Sequence, residues 1–213
     1  MKKFTEDYYN LLNTRYAGIN LTRINNFEEF ENKQIIDSIE PYKSSKTFKE
    51  ILDKKKVLID VGFGGGFPIL PLAKLLPEYK FFGIETRNKK VVTVGKIATE
   101  LEIENTKLIH QRIENVIIDM DTVITFKAVG KVNDFLERIN TDRFVEVFFY
   151  KGPGFYELEN DQLKEAKKKW EIIEETKLII PGTDERNFIG FRNKNPIINS
   201  KHANQLVKLS SFN

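Results

Sequence analysis

Large apolar residues recur at helical spacing through the first forty positions of the chain. One helix is predicted over residues 4–16, and a second after Asn26, a residue type that caps helix N-termini. Pro41 is expected to end the second helix because it has no backbone N–H to donate. Residues 1–45 are therefore expected to form a helical cap. The apolar positions that carry the pattern are Phe4, Tyr8, Leu11, Leu12 and Tyr16, then Phe27, Phe30, Ile35, Ile36 and Ile39.

From residue 57 onward, short apolar runs alternate with stretches of helical periodicity. This alternation predicts a doubly wound α/β fold, in which a parallel sheet carries helices on both faces through right-handed crossovers. Residues 170–180 and 188–192, separated by the turn sequence 181–184, predict an antiparallel pair at the sheet edge. The other strand candidates are 57–61, 81–84, 107–109, 123–126 and 145–150, and the helical stretches are 69–76, 88–101 and 132–139.

Composition narrows the class of protein without naming a ligand. A chain of 213 residues with 40% hydrophobic and 31% charged positions predicts one globular domain, here a cap over 1–45 and a core over 46–213. The net charge of +3 permits an RNA partner without indicating one. Four lysines within 164–169 continue into an acidic stretch, which is typical of a solvated amphipathic face.

Metal and membrane sites are both disfavoured by the sequence. There is no cysteine, and the two histidines, His110 and His202, are far apart along the chain. The N-terminus reaches Glu6 and Asp7 without an apolar run for export, and no stretch is long enough to span a bilayer. We therefore expect a cytoplasmic protein without a membrane partner or a bound metal.

The most informative stretch is a buried strand that runs into a glycine-rich turn. Asp60 precedes three spaced glycines, Gly62, Gly64 and Gly66, and one adjacent glycine. The missing side chains let a ligand lie against the backbone at the carboxyl end of the strand, where doubly wound sheets bind their ligands. A tight turn that binds nothing is the simpler interpretation, but it requires fewer glycines.

Two nucleoside cofactors compete for this turn. A dinucleotide fold needs a third small residue where Phe67 stands, and Pro68 narrows the approach of a pyrophosphate to the helix N-terminus. The pattern from Asp60 to Gly66 is instead similar to motif I of S-adenosylmethionine-dependent methyltransferases, whose cofactor has no phosphate. Asp60 would then orient the turn or face the methionine end of the cofactor.

Two further segments suit a nucleoside. Glu85 ends the next strand about 20 residues beyond the glycines, where a carboxylate can accept hydrogen bonds from ribose hydroxyls. A surface charge near Arg87 and Lys89 is the alternative explanation. Residues 111–114 follow the third strand and could set a backbone amide and the Ile113 side chain beside an adenine ring.

Taken together, these segments resemble those of the bacterial 16S ribosomal RNA guanine-N7 methyltransferase family, which is also called the glucose-inhibited division protein B family. The similarity extends over nearly the whole length, in the order Asn20-Leu21-Thr22, 36–39, 62–71, 88–91, Lys151-Gly152 and 181–186. The resemblance implies a class I S-adenosylmethionine-dependent methyltransferase with a helical cap. The implied partners are 16S ribosomal RNA and the small ribosomal subunit or its assembly intermediate, and the chain is expected to be a monomer.

The same resemblance assigns residues to the two ligands. It implies a cofactor pocket and a set of RNA contacts, with departures where the family usually has leucine at Phe67, arginine at Lys127 and histidine at Gln34. Lys127 is expected to project into the cleft as a positioning residue for both cofactor and catalysis. The cofactor contacts are Asp60, Gly62, Gly64, Gly66, Phe67, Glu85, Ile113, Glu114 and Lys127, and the RNA contacts are Asn20, Arg23, Lys33, Lys151 and Arg186.

The target atom bears on the chemistry that the chain must supply. Guanine N7 carries a lone pair and no proton, so no general base is expected, and catalysis would rest on orientation and electrostatics. Methylation at pyrimidine C5 uses a cysteine nucleophile, and the chain has no cysteine. Methylation of an exocyclic amine commonly uses an Asn/Asp-Pro-Pro-aromatic motif, whereas residues 125–128 read Thr-Phe-Lys-Ala. A small-molecule or protein methyltransferase, an NAD-dependent oxidoreductase and a noncatalytic RNA-binding assembly factor stay open as alternatives.

Overall fold

A computed structural model describes residues 1–198 and 205–213; His202 lies outside the described residues. The described residues form a seven-stranded sheet of order β3-β2-β1-β5-β7-β9-β8 and a small sheet of order β10-β4-β6. The strands are β1 Val57–Val61, β2 Lys80–Glu85, β3 Thr106–His110, β4 Val116–Ile118, β5 Val123–Lys127, β6 Asn140–Thr141, β7 Glu146–Lys151, β8 Trp170–Leu178, β9 Arg186–Asn193 and β10 Val207–Lys208.

The helices connect these strands and build the cap. Short 3₁₀ turns at Ala17–Ile19 and Ile113–Asn115 join them, and a π-helical stretch, Glu31–Ile36, links α2 to α3 without a break. The α-helices are α1 Lys2–Asn13, α2 Phe27–Phe30, α3 Asp37–Ser44, α4 Lys46–Lys55, α5 Ile69–Leu75, α6 Asn88–Glu100, α7 Val132–Leu136, α8 Phe155–Leu158 and α9 Asn160–Lys169.

Strand pairing confirms the doubly wound α/β fold. Strands β3, β2, β1, β5 and β7 are parallel, and β9 pairs antiparallel with both β7 and β8. The chain runs outward from β1 through β2 to β3, and then returns to place β5 on the other side of β1. The crevice at the carboxyl ends of β1 and β5 is therefore the topological switch point, where such sheets bind ligands.

The sheet separates two hydrophobic cores. Side chains alternate across each strand, so Leu58 faces one core and its neighbour Ile59 faces the other. Helices α1 to α6 pack on the first face, whereas α7, α9 and the small sheet pack on the second. The cap therefore shares its core with one face of the central sheet.

One expectation about local structure was wrong, and several short elements were not predicted. Pro41 lies inside α3 rather than at its end, because it removes only its own N–H while its carbonyl still accepts from Ser45 N at 2.9 Å. The helix α4, which was not predicted, follows α3 and is capped by the Ser45 side chain, which accepts from Phe48 N. The short strands β4, β6 and β10 were missed, since two- and three-residue strands carry too few positions to show a period of two.

No helix in the described part of the chain combines the length and apolar character needed to cross a membrane. Within the same residues, no group of three or more histidine, aspartate or glutamate side chains is arranged to hold a metal ion.

Candidate functional site

Three cavities follow one another along the carboxyl edge of the sheet. We call them the edge cavity, the loop cavity and the charged cavity. The edge and loop cavities share Gly62, and the loop and charged cavities share Gln34, Lys127 and Ala128. The edge cavity is lined in part by Gly62, Glu85, Ile113, Glu114, Val129 and Phe135, the loop cavity by Leu21, Gly64, Phe67 and Lys90, and the charged cavity by Lys33, Asp37, Tyr150, Lys151 and Arg186.

Glu85 is the buried carboxylate of the edge cavity, which has a volume of about 270 Å³ and is also lined by polar side chains such as Gln111 and Glu114. Its carboxylate is buried at the end of β2 and accepts from Gly64 N at 3.2 Å and from Arg87 N at 3.0 Å. These backbone bonds hold the side chain in place against the glycine turn. Apolar side chains such as Ile113 and Val129 form the walls around it. The cavity therefore combines a fixed carboxylate with an apolar slot.

The glycines of the turn adopt backbone conformations that residues with a side chain rarely adopt. Gly62, Gly64 and Gly66 have φ of 74°, 56° and 94°, in the region that favours glycine. Gly62 and Gly64 line cavities, so their backbone is open to a ligand. Gly66 has a different reason to be glycine, since a Cβ there would lie 2.3 Å from the hydroxyl of Tyr8.

The cap supports the glycine turn through a hydrogen bond and through aromatic packing. Tyr8 is fully buried and its hydroxyl donates to the carbonyl of Gly65. The Tyr8 ring stacks on Phe67 with a centroid separation of 5.0 Å, and Phe30 meets Phe67 edge-on at 5.7 Å. Burial raises the pKa of the Tyr8 phenol well above its usual value, so it stays protonated and able to donate. The ring of Phe67 is thus buried among cap aromatics, and this residue lines the loop cavity but not the edge cavity.

Asp60 lies beneath the glycine turn and is fully buried. Its Oδ1 accepts from the Thr125 hydroxyl at 3.2 Å, and its Oδ2 has no hydrogen-bond partner of normal geometry among the described residues. Burial raises the pKa of this carboxyl from 3.8 to about 7, an increase that the Thr125 hydroxyl and the Ile69 backbone N–H reduce. Asp60 lines none of the three cavities, so the structure places it under the turn rather than in the cleft.

Lys127 ends β5 and faces the cap across the charged cavity. Its Nζ lies 2.9 Å from Oδ2 of Asp37 and donates to the carbonyl of Lys33 at 3.2 Å. Both side chains of the ion pair are buried, with exposures of 11% for Lys127 and 7% for Asp37. Arg186 approaches the other oxygen of the same carboxylate, with 4.0 Å between its Nε and Oδ1. Lys127 therefore projects into the cleft as predicted, but it is tied to the cap.

The predicted RNA contacts divide into two groups. Lys33, Lys151 and Arg186 meet at the charged cavity, although they come from the cap, β7 and β9. Asn20 and Arg23 are exposed on the segment between α1 and α2 and line none of the three cavities.

Lys151 differs from the open surface cation that an RNA contact would require. Its side chain is 8% exposed, and its Nζ donates to Gly130 O at 2.6 Å and lies 2.8 Å from Glu159 Oε1. Its charge is thereby neutralised inside the protein. These bonds connect the loop after β5 to the segment that follows β7, and the contact of Lys151 with RNA stays a prediction.

Three residues that the structure brings to the site were assigned no contact from the sequence, and of these Gln34 was named only as a departure from the family pattern. Asp37 and Gln34 line the charged cavity, and Tyr8 bonds to the glycine turn. Tyr8 was read only as an apolar helix position, which hides its hydroxyl. Asp37 carried a signal that could have been used, because an acid between apolar positions of a helix is costly to bury unless it is paired.

Comparisons with known proteins show the family of the chain. A family model described as "GidB: rRNA small subunit methyltransferase G" matches residues 1–189. The chain is similar to the ribosomal RNA small subunit methyltransferase G of Thermoanaerobacter sp. (strain X514), with 33% identity over 185 residues, 81% of this chain and 74% of the relative. It is 30% identical over 201 residues to the protein of that name from Lactococcus lactis, which covers 88% of this chain and 80% of the relative.

Solved structures give the fold class. The magnesium protoporphyrin IX methyltransferase of Synechocystis, crystallised with S-adenosylhomocysteine, matches 90% of this chain and 100% of its own at a TM-score of 0.54 and 13% identity. A SAM-dependent methyltransferase from Aquifex aeolicus matches 78% of this chain and 95% of its own at a TM-score of 0.52 and 16% identity. Likeness at this identity shows the fold alone.

Proposed function

The chain belongs to the rRNA small subunit methyltransferase G family, and from this premise and the geometry of the site we propose that it transfers a methyl group to N7 of a guanine in 16S ribosomal RNA. The enzyme class and its cofactor, S-adenosylmethionine, follow from the family. The target atom, the roles of individual residues and the cytoplasmic small subunit or its assembly intermediate as the substrate are the proposal.

One observation carries the proposal. The cavities run in series, from a fixed carboxylate in an apolar slot, past open glycine backbone, to a chamber lined by cations. A nucleoside cofactor suits the first end, and a nucleic acid suits the other, because phosphates and bases are bound by cationic and polar groups. The loop cavity connects the two ends, and it joins the charged cavity at Lys127, where a methyl group would pass from one ligand to the other.

The edge cavity fits the adenosine part of S-adenosylmethionine. Glu85 can accept from a ribose hydroxyl at Oε2, which takes one bond from Gly64 N, and from the second hydroxyl at Oε1 when the Thr86 hydroxyl, which now donates there, turns away. Ile113 and the neighbouring apolar walls suit the adenine ring, and the open backbone at Gly62 and Gly64 leaves room beside the strand end. We propose that Asp60 supports the turn from below and that Phe67 shapes the loop cavity through its packing against the cap.

When bound, S-adenosylmethionine supplies an electrophilic methyl group on a sulfonium centre. The residues of this chain then have to hold the acceptor nitrogen in line, exclude water and accommodate the change in charge. Lys127, fixed by Asp37 and by the Lys33 carbonyl, is placed where the loop and charged cavities join. We assign it a positioning role and assign no residue the role of a general base, since N7 has no proton to lose.

RNA would reach the charged cavity over the cap and β9. Lys33 and Arg186 are more exposed than Lys151, and the exposed Arg23 and Asn20 extend the polar surface along the segment before α2. Phosphate contacts of this kind release counterions, so affinity for RNA should fall steeply with salt while cofactor affinity changes little.

The decisive experiment maps N7-methylguanine in 16S ribosomal RNA by chemical cleavage and reverse transcription. A strain lacking the protein should lose one modified position, and the purified protein with S-adenosylmethionine should restore it on isolated small subunits. Glu85→Ala should fail to restore it, whereas Glu171→Ala, an exposed acid on the edge strand, should succeed. An unchanged modification pattern in the deletion strain would contradict the proposal.

A further inference from the structure

The carboxylate of Asp37 is buried, and only one of its two oxygens has a hydrogen-bond partner among the described residues. Its Oδ2 is paired with Lys127 at 2.9 Å, but its Oδ1 has no hydrogen-bond partner within residues 1–198 and 205–213. The nearest cation to Oδ1 is Arg186, whose Nε is 4.0 Å away, beyond hydrogen-bond distance. A buried acceptor without a donor is destabilising, and native proteins keep few of them.

The Asp37 side chain lines the charged cavity, but its unpaired oxygen has almost no accessible surface. A ligand in the cavity therefore reaches Oδ1 when a neighbouring side chain shifts, and Arg186, 4.0 Å away, is the nearest cation that could do so. This cavity has a volume of about 260 Å³, and it joins the loop cavity at Gln34, Lys127 and Ala128. Enzymes that modify a base take it out of the stack into a pocket and read its Watson–Crick edge with hydrogen bonds. A base in the charged cavity would lie between Asp37 and the glycine turn.

We propose that Asp37 selects guanine by accepting hydrogen bonds from the Watson–Crick edge of a base held in the charged cavity. The proposal rests on the function proposed above. Oδ1 accepts from the exocyclic 2-amino group, and Oδ2, which keeps a lone pair beside its ion pair with Lys127, accepts from the ring N1–H. Among the four RNA bases, only guanine places two adjacent donors on this edge.

The orientation agrees with transfer to N7. The Watson–Crick edge of guanine belongs to the six-membered ring, and N7 belongs to the five-membered ring on the other side of the base. A guanine whose donors meet Asp37 therefore directs N7 away from the cap helix α3, toward the loop cavity. Lys127 contributes indirectly, because its ammonium group pairs with Oδ2 and so holds the carboxylate in place.

The test is a double-mutant cycle that changes the Asp37 side chain on the protein and the 2-amino group of the target base on the RNA. Small subunits are reconstituted with 16S ribosomal RNA that carries guanosine or inosine at the mapped target, since inosine lacks only the 2-amino group. Methyl transfer and equilibrium binding of the subunits are measured for the parent protein and for Asp37→Asn. Affinity for S-adenosylhomocysteine and the thermal midpoint, measured on the same preparations, report whether the cofactor site and the fold are intact.

The parent should prefer guanosine over inosine by at least about tenfold in kcat/KM, the scale of one hydrogen bond to a charged group. In Asp37→Asn that preference should shrink to less than about twofold. Glu40→Gln, on the same helix but outside the cavity, should keep the parental preference. Any difference in the intrinsic reactivity of the two bases cancels between the variants.

Two results would overturn the proposal. One is a parent protein that treats guanosine and inosine alike, which needs no variant and holds even if Asp37→Asn does not fold. The other is an unchanged preference in a folded Asp37→Asn protein that still binds S-adenosylhomocysteine. Both leave the proposed function standing, whereas a parent that transfers no methyl group to either subunit removes both proposals together.

Discussion

The edge cavity and the charged cavity are built in different ways. At the centre of the edge cavity, Glu85 and the glycine backbone meet through backbone hydrogen bonds at two consecutive strand ends, β1 and β2, and side chains from 111–114 and 129–138 complete its lining. The charged cavity joins side chains from the cap, β5, β7 and β9, which are up to about 150 residues apart in the chain. The polar centre of one end is therefore local and held by backbone bonds, whereas the other end is assembled entirely by tertiary packing.

The two ends therefore tolerate different substitutions. A backbone-made site fails when a side chain is added, because the geometry of the turn has no alternative. A site made from paired charges fails when one partner is removed, because the other is left buried without a counter-charge.

Gly64→Val should abolish binding of S-adenosylhomocysteine, with a loss of more than about 1,000-fold, or about 4 kcal/mol. A branched residue is strained at a φ of 56° and its side chain would enter the loop cavity. Calorimetry measures the loss. Gly95→Val is the matched control, because a Cβ at Gly95 meets nothing within 4 Å. Binding of Gly64→Val at the parental affinity would show that the cofactor lies elsewhere.

Ionisation of Asp60 should make the protein less stable as the pH rises. Burial raises the pKa of Asp60 from 3.8 to about 7 in the folded state, so its neutral form favours folding and that contribution is lost as the pH rises through 7. The free energy of unfolding should fall by up to about 3 kcal/mol between pH 4 and pH 7.5 from this group. Urea titrations of the parent and Asp60→Asn measure it, and parallel pH profiles for the two would contradict the expectation.

Lys127→Ala should lose about 1–3 kcal/mol of transition-state stabilisation, the scale of one charge-assisted hydrogen bond. Removal of the ammonium also leaves Asp37 without its ion-pair partner. Lys127→Arg keeps the charge and should retain or improve transfer, because the planar guanidinium can hold two acceptors. Steady-state kinetics on small subunits decide the matter. If Lys127→Ala transfers methyl groups with the same kcat/KM as the parent, Lys127 does not contribute to transfer.

Tyr8→Phe should weaken S-adenosylhomocysteine binding about three- to tenfold, the effect of one hydrogen bond of about 1 kcal/mol. The change removes only the hydroxyl that donates to Gly65 O and keeps the ring that stacks on Phe67. Tyr9→Phe, which loses a bond to Asn25 O on the exposed side of α1, should bind as the parent does. Equal affinities for all three proteins would show that the cap does not support the turn.

The same contrast explains how far the sequence could predict the molecule. Strand β1 was predicted over its full extent, Val57–Val61, because a buried parallel strand is a continuous apolar run followed by glycines. Glu85 beside the glycine turn could likewise be expected, since consecutive strand ends lie next to each other in a parallel sheet. The edge cavity was therefore readable from local pattern.

The charged cavity could be predicted from the sequence only in part. Lys33, Lys127 and Arg186 were named from a family resemblance, but periodicity contains no information on which distant charges will meet. The ion pair of Lys127 with Asp37, and the burial of Lys151 against Glu159, depend on how the cap and the last strands pack. Phe67 shows the same limit, because its partners Tyr8 and Phe30 come from the cap.

The cap contacts both ends of the site, through Tyr8 at the glycine turn and Asp37 in the charged cavity. A shared wall of this kind makes the two binding equilibria interdependent. If RNA orders the cap, the cofactor binds a turn whose support is already in place. Thermodynamic reciprocity then requires that the factor by which RNA raises affinity for S-adenosylmethionine equals the factor by which S-adenosylmethionine raises affinity for RNA.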